Sequence, residues 1–92
     1  GAQASEAAFR LAEGFRTTGK VQEAADMYVT AAYLSGDSPW TRRALVAAGQ
    51  AFATLKQNDA AVIVYRKVLA MSDLEPDLAD AARRGLRALG AS

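Results

Sequence analysis

Apolar residues recur along this chain at spacings of three, four and seven, with charged and polar residues between them. Such spacing places the apolar side chains on one face of an α-helix, and glycine or proline separates one helical stretch from the next. The pattern therefore predicts five helices, which cover residues 5–18, 21–35, 39–56, about 59–71 and 76–89. No stretch reads as a strand, so the predicted fold class is all-α.

The residues at the helix ends support these boundaries. Ser38 is a suitable N-cap for the third helix, because its side-chain oxygen can accept a backbone N–H, and Pro39 fits the first helical turn. We expect Asn58 or Asp59 to cap the fourth helix. Gly36 is expected to end the second helix in the left-handed conformation that glycine adopts readily.

The second part of the chain repeats the first with a shift of 37 residues. The matching pairs are Phe15 and Phe52, Ala24 and Ala61, Tyr28 and Tyr65, and Pro39 and Pro76. A fixed period of this size in a helical chain indicates a solenoid, in which each helix pair buries its apolar face against the next. The last helix is predicted to cover the open end of the second pair with the apolar residues Leu78, Ala82, Leu86 and Leu89.

These repeats resemble the tetratricopeptide repeat family, whose first helix reads W-x2-L-G-x2-Y and whose second reads A-x3-F. The residues that carry the resemblance are Ala8, Leu11, Ala12, Phe15, Ala24 and Tyr28, followed by Leu45, Ala48, Gly49, Phe52, Ala61 and Tyr65. The resemblance implies a right-handed α-solenoid in a single domain, 1–92, with repeats at about 5–36 and 39–71 and a capping helix at about 76–89.

Three features depart from the family pattern. Ala8 and Leu45 replace the family's tryptophan, and Gly36 stands near the place where its closing proline is expected. The period is also longer than the usual period of about 34 residues. The longer period is similar to that of repeats found in bacterial envelope proteins. These departures bear on the subfamily more than on the fold.

The resemblance implies a protein-interaction module, because the family's arrays line a concave groove with their first helices and receive a peptide or a partner's helix there. The groove residues would be Glu6, Phe9, Glu13, Arg16, Arg43, Val46, Gln50, Arg83 and Arg87. The charged residues in this set could equally be ordinary solvent-exposed helix positions with no binding role. Phe9 and Val46 are different, because on this face they would be exposed apolar side chains. The family's clamp for chaperone C-termini begins with lysine and asparagine, and Phe9 and Glu13 stand at that place. Chaperone-tail binding is therefore disfavoured, because Glu13 would repel a carboxylate.

Self-association through the opposite, convex face is a second hypothesis. Ile63 stands where the family usually has a polar outward residue, and Val29 lies on the corresponding face of the first repeat. These residues could seal a homodimer or contact a neighbouring domain. They could equally be scattered exposed apolar residues with no binding role.

The last helix also has an alternative role. Instead of capping the second pair, it could present a basic site formed by Arg83, Arg84 and Arg87.

Composition and charge narrow the classes of partner. The 92 residues are 51% hydrophobic and 23% charged, as is typical of a soluble globular protein. Eleven basic against ten acidic residues give a net charge of +1, which does not favour a nucleic-acid partner. No apolar run approaches the ~20 residues that cross a bilayer, so we expect no membrane insertion. The compartment stays open between the cytoplasm and the periplasmic side of a bacterial envelope, and the sequence is compatible with a piece of a longer protein.

Enzyme chemistry has few candidate residues. The chain contains no histidine and no cysteine, so it offers no imidazole base, no thiolate nucleophile and no soft metal site. The remaining candidates are carboxylates, such as Glu6 with Glu13 and Asp77 with Asp80. Acidic residues in the first turn of a helix favour its positive end and need no catalytic role. We therefore expect a non-catalytic protein that uses neither a metal nor a cofactor.

Overall fold

Five α-helices make up the described part of the chain, residues 2–91 of a computed structural model, and these residues form no strand. The helices are α1 (Ala2–Thr17), α2 (Val21–Tyr33), α3 (Pro39–Thr54), α4 (Asn58–Leu69) and α5 (Pro76–Ala88). The predicted all-α class and the five predicted helices are confirmed. The boundaries agree to within a few residues, and α1 begins three residues before the predicted start at position 5.

The odd-numbered helices α1, α3 and α5 end in the same type of turn. The residue in the left-handed conformation is Gly19 after α1 (φ 82°), Lys56 after α3 (φ 62°) and Gly90 after α5 (φ 74°). The next N–H then bonds to the carbonyl five residues earlier, as in the bond from Lys20 to Phe15 at 2.9 Å. This arrangement is the Schellman motif, which satisfies carbonyl groups at the helix end.

The starts of α3 and α5 are as predicted, but two other predicted ends are wrong. Ser38 Oγ accepts the backbone N–H of Thr41 at 3.1 Å, and a proline opens each of these two helices. Neither Asn58 nor Asp59 is the N-cap of α4. Gln57 takes that position without a side-chain hydrogen bond, since the turn that ends α3 places it directly before the new helix.

The end of α2 also differs from the prediction. The helix stops at Tyr33, and the right-handed residue Leu34 follows it as C-cap. Gly36 does not adopt a positive φ, so it is not a left-handed cap. The helical spacing of α2 predicts that Leu34 lies on its buried face, but the helix ends before this residue and Leu34 is 45% exposed.

The helices pack in two layers. Each helix contacts the next one along the chain, and α1 with α3 and α3 with α5 are also in contact. In contrast, no residue of α2 comes within 8 Å of α4, Cα to Cα. The layer of α1, α3 and α5 is therefore more tightly spaced than the layer of α2 and α4.

Small residues allow the helices to approach closely. Eight alanines are fully shielded from solvent: Ala12, Ala24, Ala25, Ala31, Ala44, Ala48, Ala61 and Ala82. Tyr65 of α4 fills the space where α3 and α5 meet, and a Cβ atom added at Gly49 or at Gly85 would lie 2.4 Å from its ring. Helices thus cross closely at Gly49 and, on the other side of the Tyr65 ring, at Gly85.

The two ends of the array differ in how well the sequence predicted them. On α5, Ala82 and Leu86 are buried and Leu78 and Leu89 are half-buried, and this helix packs against α3 and α4. On α1, Leu11 is 51% exposed although the family pattern places an apolar contact there. No other helix of residues 2–91 covers that side of α1.

Hydroxyl groups join the start of α1 to the loop between α2 and α3. The fully buried Ser5 lies 2.7 Å from Ser35, Oγ to Oγ. Ser35 lies 3.3 Å from the hydroxyl oxygens of both Ser38 and Thr41. Thr41 also donates to the carbonyl of Gly36 at 2.8 Å. The network fixes this loop, and with it the start of α3, against α1.

An arginine makes the matching connection 37 residues further on. Arg42 is only 8% exposed, and its Nε and Nη2 donate to the two carboxylate oxygens of Glu75 at 2.7 and 3.2 Å. Its Nη1 donates to Asp37 in the preceding loop. Glu75 precedes α5 but caps no backbone N–H, because both of its side-chain oxygens accept from Arg42. Arg42 therefore holds the start of α5 against α3.

Candidate functional site

A groove of about 640 Å³ lies on the face to which the odd-numbered helices contribute most of the lining residues. Six of the predicted groove residues line it: Phe9, Glu13, Arg16, Arg43, Val46 and Gln50. The other lining residues are Val21 and Tyr28 from α2, Ala47, Ala51 and Thr54 from α3, and Asp77, Leu78, Ala81 and Arg84 from α5. No residue of α4 takes part among those described.

Three predicted groove residues lie outside the lining. Glu6 is near the start of α1 and pairs with Arg10 at 2.8 Å. Arg83 and Arg87 are exposed on α5, and Arg83 pairs with Asp80 at 3.6 Å. Because each residue of a helix is rotated by about 100° from the last, the side of α5 that faces the groove carries the neighbouring Arg84 instead.

Phe9 and Val46 are not the free apolar surface that the sequence suggested. Phe9 is 7% exposed and Val46 is 4% exposed. The Phe9 ring lies 5.5 Å from the Tyr28 ring and 5.7 Å from the Trp40 ring, centroid to centroid, so it fills space between the helices. Both residues are core residues whose edges reach the groove.

The guanidinium group of Arg43 covers these aromatic rings. Its central carbon lies 4.8 Å from the ring centroid of Phe9 and 4.6 Å from that of Trp40. Such distances are typical of cation–π contacts, which favour arginine. Arg43 itself is exposed. A partner entering this part of the groove would therefore meet Arg43 before it met Phe9.

Glu13 is already engaged within the chain. The Tyr28 hydroxyl donates to its carboxylate, and Arg16 donates to the same group at 3.1 and 3.3 Å. Burial raises the pKa of Glu13, but the hydrogen bonds from Arg16 and Tyr28 outweigh it and hold this pKa below its ordinary value of 4.5. Burial and the bond to Glu13 raise the pKa of Tyr28 to about 12. Glu13 is thus ionised and hydrogen-bonded at neutral pH.

The remaining arginines of the groove lack such partners. Within residues 2–91, neither Arg43 nor Arg84 has a carboxylate oxygen within 4.0 Å. Arg10, which lies 5.4 Å from the Trp40 ring, is by contrast paired with Glu6. The groove lining therefore contains one hydrogen-bonded acid, Glu13, and two arginines, Arg43 and Arg84, that can donate hydrogen bonds to an anionic group of a ligand.

Trp40 is the main residue of this region that the sequence analysis did not single out. A signal for it exists, since Trp40 and Arg43 are three positions apart and lie on the same face of a helix. A tryptophan and an arginine at that spacing predict a cation–π contact. The contact of Arg43 with Phe9 of α1 could not be predicted in this way, because it depends on how two helices that are separated in the sequence pack together.

Two further properties concern chemistry and membranes. Residues 2–91 contain no group of three or more histidine, cysteine, aspartate or glutamate side chains that could hold a metal ion. None of the helices in this part of the chain has the length and apolar character needed to span a membrane.

Comparisons with protein-family models, with curated proteins and with solved structures give no match to this chain.

Proposed function

We propose that this chain is a non-catalytic protein-interaction module of the tetratricopeptide type, a right-handed α-solenoid that binds a peptide or a partner's helix in its groove. The observation that carries the proposal is the groove of about 640 Å³, to which α1, α3 and α5 all contribute side chains. Concave sites of several hundred Å³ are typical of ligand binding.

The spacing of the layers supports a concave face on this side. Residues of α3 come within 8 Å of both α1 and α5, whereas no residue of α2 comes within 8 Å of α4, Cα to Cα. A stack that is closer on one side than on the other curves toward the closer side. Stacked helix pairs use curvature of this kind to form extended binding surfaces.

The test is a selection of random peptides displayed on phage, followed by titration of the enriched peptides against purified variants. Gln50 is exposed and lines the groove, so Gln50→Trp should fill it. We expect this change to weaken binding by tenfold or more, about 1.4 kcal/mol. Circular dichroism would establish that the variant keeps its helices.

Ile63→Asp is the matched control on the opposite face, where Ile63 is 65% exposed. Binding should be unchanged by this substitution. If Ile63→Asp abolishes binding while Gln50→Trp has no effect, the working surface is the convex face and the groove proposal is wrong.

Self-association through the convex face is a second candidate, and the exposure of its apolar side chains favours it. Ile63 on α4 and Tyr33 on α2 are 65% and 64% exposed. Lys67, one turn from Ile63, lies with its Nζ 5.0 Å from the Tyr33 ring centroid and so links the two helices. Val29, one turn before Tyr33, is half-buried.

Sedimentation over a range of protein concentrations tests this candidate. A homodimer sealed by these residues would dissociate on dilution, and Ile63→Asp should leave only monomer at all concentrations. Leu11→Asp is the matched control, because Leu11 is also exposed but lies on α1. Equal behaviour of the wild type and both variants would rule out the convex dimer.

A further inference from the structure

Arg43 has an unusual position among the arginines of the chain. Its guanidinium carbon lies within 5 Å of two aromatic ring centroids, 4.8 Å from Phe9 and 4.6 Å from Trp40. An exposed arginine ordinarily samples many rotamers and loses that freedom when it binds a ligand. Contact with two rings restricts the side chain in advance. Binding through Arg43 therefore costs less conformational entropy than binding through a free arginine.

The rings that hold Arg43 are themselves well supported. Phe9 is buried and lies 5.5 Å from Tyr28, whose ring is fully shielded from solvent. Trp40 is half-buried in the first turn of α3, directly after the proline that opens the helix. The platform beneath Arg43 thus belongs to the core of the first helix pair and to the start of the second.

The hydrogen-bonding groups of Arg43 are available to a ligand. A guanidinium carries five N–H donors, and no side chain of residues 2–91 accepts a hydrogen bond from that of Arg43. No carboxylate of residues 2–91 lies within 4.0 Å of this group. The nearby acids Glu13 and Glu75 accept from Arg16 and Arg42 instead. Charge and donor geometry both suit a carboxylate, which guanidinium binds through two parallel hydrogen bonds.

We propose that the groove binds an internal peptide segment carrying an acidic side chain next to an apolar one, with Arg43 as the residue that recognises the carboxylate. The inference rests on the proposed groove function and specifies its partner. Arg84, on the facing side of the groove, adds positive charge, while the half-buried Ala47 and Leu78 contact the apolar side chain. A free C-terminal carboxylate is not required, since the acid is a side chain of the segment.

The experiment uses random dodecapeptides displayed on phage through their C-terminus, so that every selected carboxylate belongs to a side chain. The enriched peptides should share an aspartate or glutamate at a fixed spacing from a large apolar residue. Each is then synthesised with an amidated C-terminus, together with a version in which the acid is replaced by its amide. Both versions are titrated against wild type, Arg43→Gln, Arg43→Lys and Arg87→Gln.

The wild-type protein should bind the acidic peptide about tenfold more tightly than its amide counterpart, a difference of ~1.4 kcal/mol. Arg43→Gln should abolish that preference, and Arg43→Lys should keep only part of it, because lysine retains the charge but not the planar pair of donors. Arg87→Gln is the matched control, since Arg87 is an exposed arginine outside the groove lining. It should bind both peptides like the wild type.

The outcomes separate this inference from the groove proposal. Suppose that peptides are enriched and bind Gln50→Trp more weakly than wild type, but bind equally well with the acid or its amide. This result would overturn the role of Arg43 and leave the groove function standing. An acid preference that survives Arg43→Gln and is lost in Arg84→Gln would overturn the assignment to Arg43. If no peptide is enriched at all, both proposals fail.

Discussion

Tyr28 and Tyr65 occupy matching positions in the two helix pairs, 37 residues apart, and both are buried, yet their surroundings differ. The glycines Gly49 and Gly85 lie close to opposite edges of the Tyr65 ring. In the first pair the matching positions are Ala12 and Ala48. The hydroxyl groups differ too. Tyr28 donates to Glu13, whereas the residue that matches Glu13 near Tyr65 is Gln50.

The difference shows that one sequence pattern supports two ways of packing. In the second pair, helix backbones of α3 and α5 approach a single aromatic ring and leave no room for a methyl group. In the first pair, alanine side chains occupy the matching positions, and the tyrosine hydroxyl gains a charged partner. Tyr65 therefore depends on shape complementarity alone, while Tyr28 combines packing with a hydrogen bond.

The largest expected effect comes from removing the ring of Tyr65. Tyr65→Ala would leave a cavity where α3, α4 and α5 meet, and truncation of a buried aromatic typically costs about 3 to 5 kcal/mol of unfolding free energy. Chemical denaturation would measure the loss. Tyr65→Phe is the control, and it should be nearly neutral because no described residue bonds to the hydroxyl. A midpoint unchanged by Tyr65→Ala would mean that the ring does not join these helices.

An intermediate effect is expected at the glycine that faces the same ring. A Cβ atom at Gly85 would lie 2.4 Å from Cζ of Tyr65, and Gly49 on the other side prevents the ring from moving away. Gly85→Ala should therefore destabilise the protein by about 1 to 3 kcal/mol, as overpacked cores do.

Gly14→Ala is the matched control for that substitution, since Gly14 also lies within a helix but has nothing within 4 Å of an added Cβ. It should stabilise the protein by up to about 1 kcal/mol through helix propensity. If both variants are stabilised equally, the contact between Gly85 and Tyr65 is not as tight as described.

The smallest effect concerns the matched turns after α1 and α3. Gly19 and Lys56 both have positive φ, but only glycine adopts that conformation without steric cost. Lys56→Gly should stabilise the protein by about 0.5 to 1 kcal/mol, and Gly19→Ala should destabilise it by a similar amount. Thermal unfolding of the two variants would measure both changes. A loss of stability in Lys56→Gly would indicate that the lysine side chain contributes more than its backbone costs.

Much of the fold could be predicted because residues 37 positions apart have matching places in the two helix pairs. Ala24 with Ala61 and Tyr28 with Tyr65 are all buried, as the pattern indicated. The same shift also relates Ser5, Arg42 and Ala79, all of which are buried. An arginine at a position that is otherwise small and buried is a signal for an internal ion pair, and the sequence alone could have supplied it. The period does not prove the solenoid, which stays a prediction.

The site was less predictable than the fold, because the distances between helices decide which residues line the groove. A helical pattern indicates which side chains share a face, but it does not say whether a neighbouring helix covers them. Phe9 was expected at the surface and is buried against Trp40, while Leu11 was expected to be buried and is exposed. On α5 the groove side carries Arg84 rather than Arg83, a difference of one position that the pattern cannot fix.

The bond between Arg42 and Glu75 makes the last helix sensitive to acid. The hydrogen bonds from Arg42 hold the pKa of the Glu75 carboxyl below its ordinary value of 4.5. A group whose pKa is lowered by folding stabilises the folded state above its unfolded pKa and loses that contribution as the pH falls through the folded value. Protonation of Glu75, as the pH falls through its lowered pKa, thus weakens the attachment of the start of α5 to α3, while the network at the start of α3 consists of serine and threonine hydroxyl groups. Amide hydrogen exchange at low pH should therefore show faster opening of α5, and Arg42→Met should reduce the acid sensitivity of α5 while leaving that of α1, which depends on Glu13, unchanged.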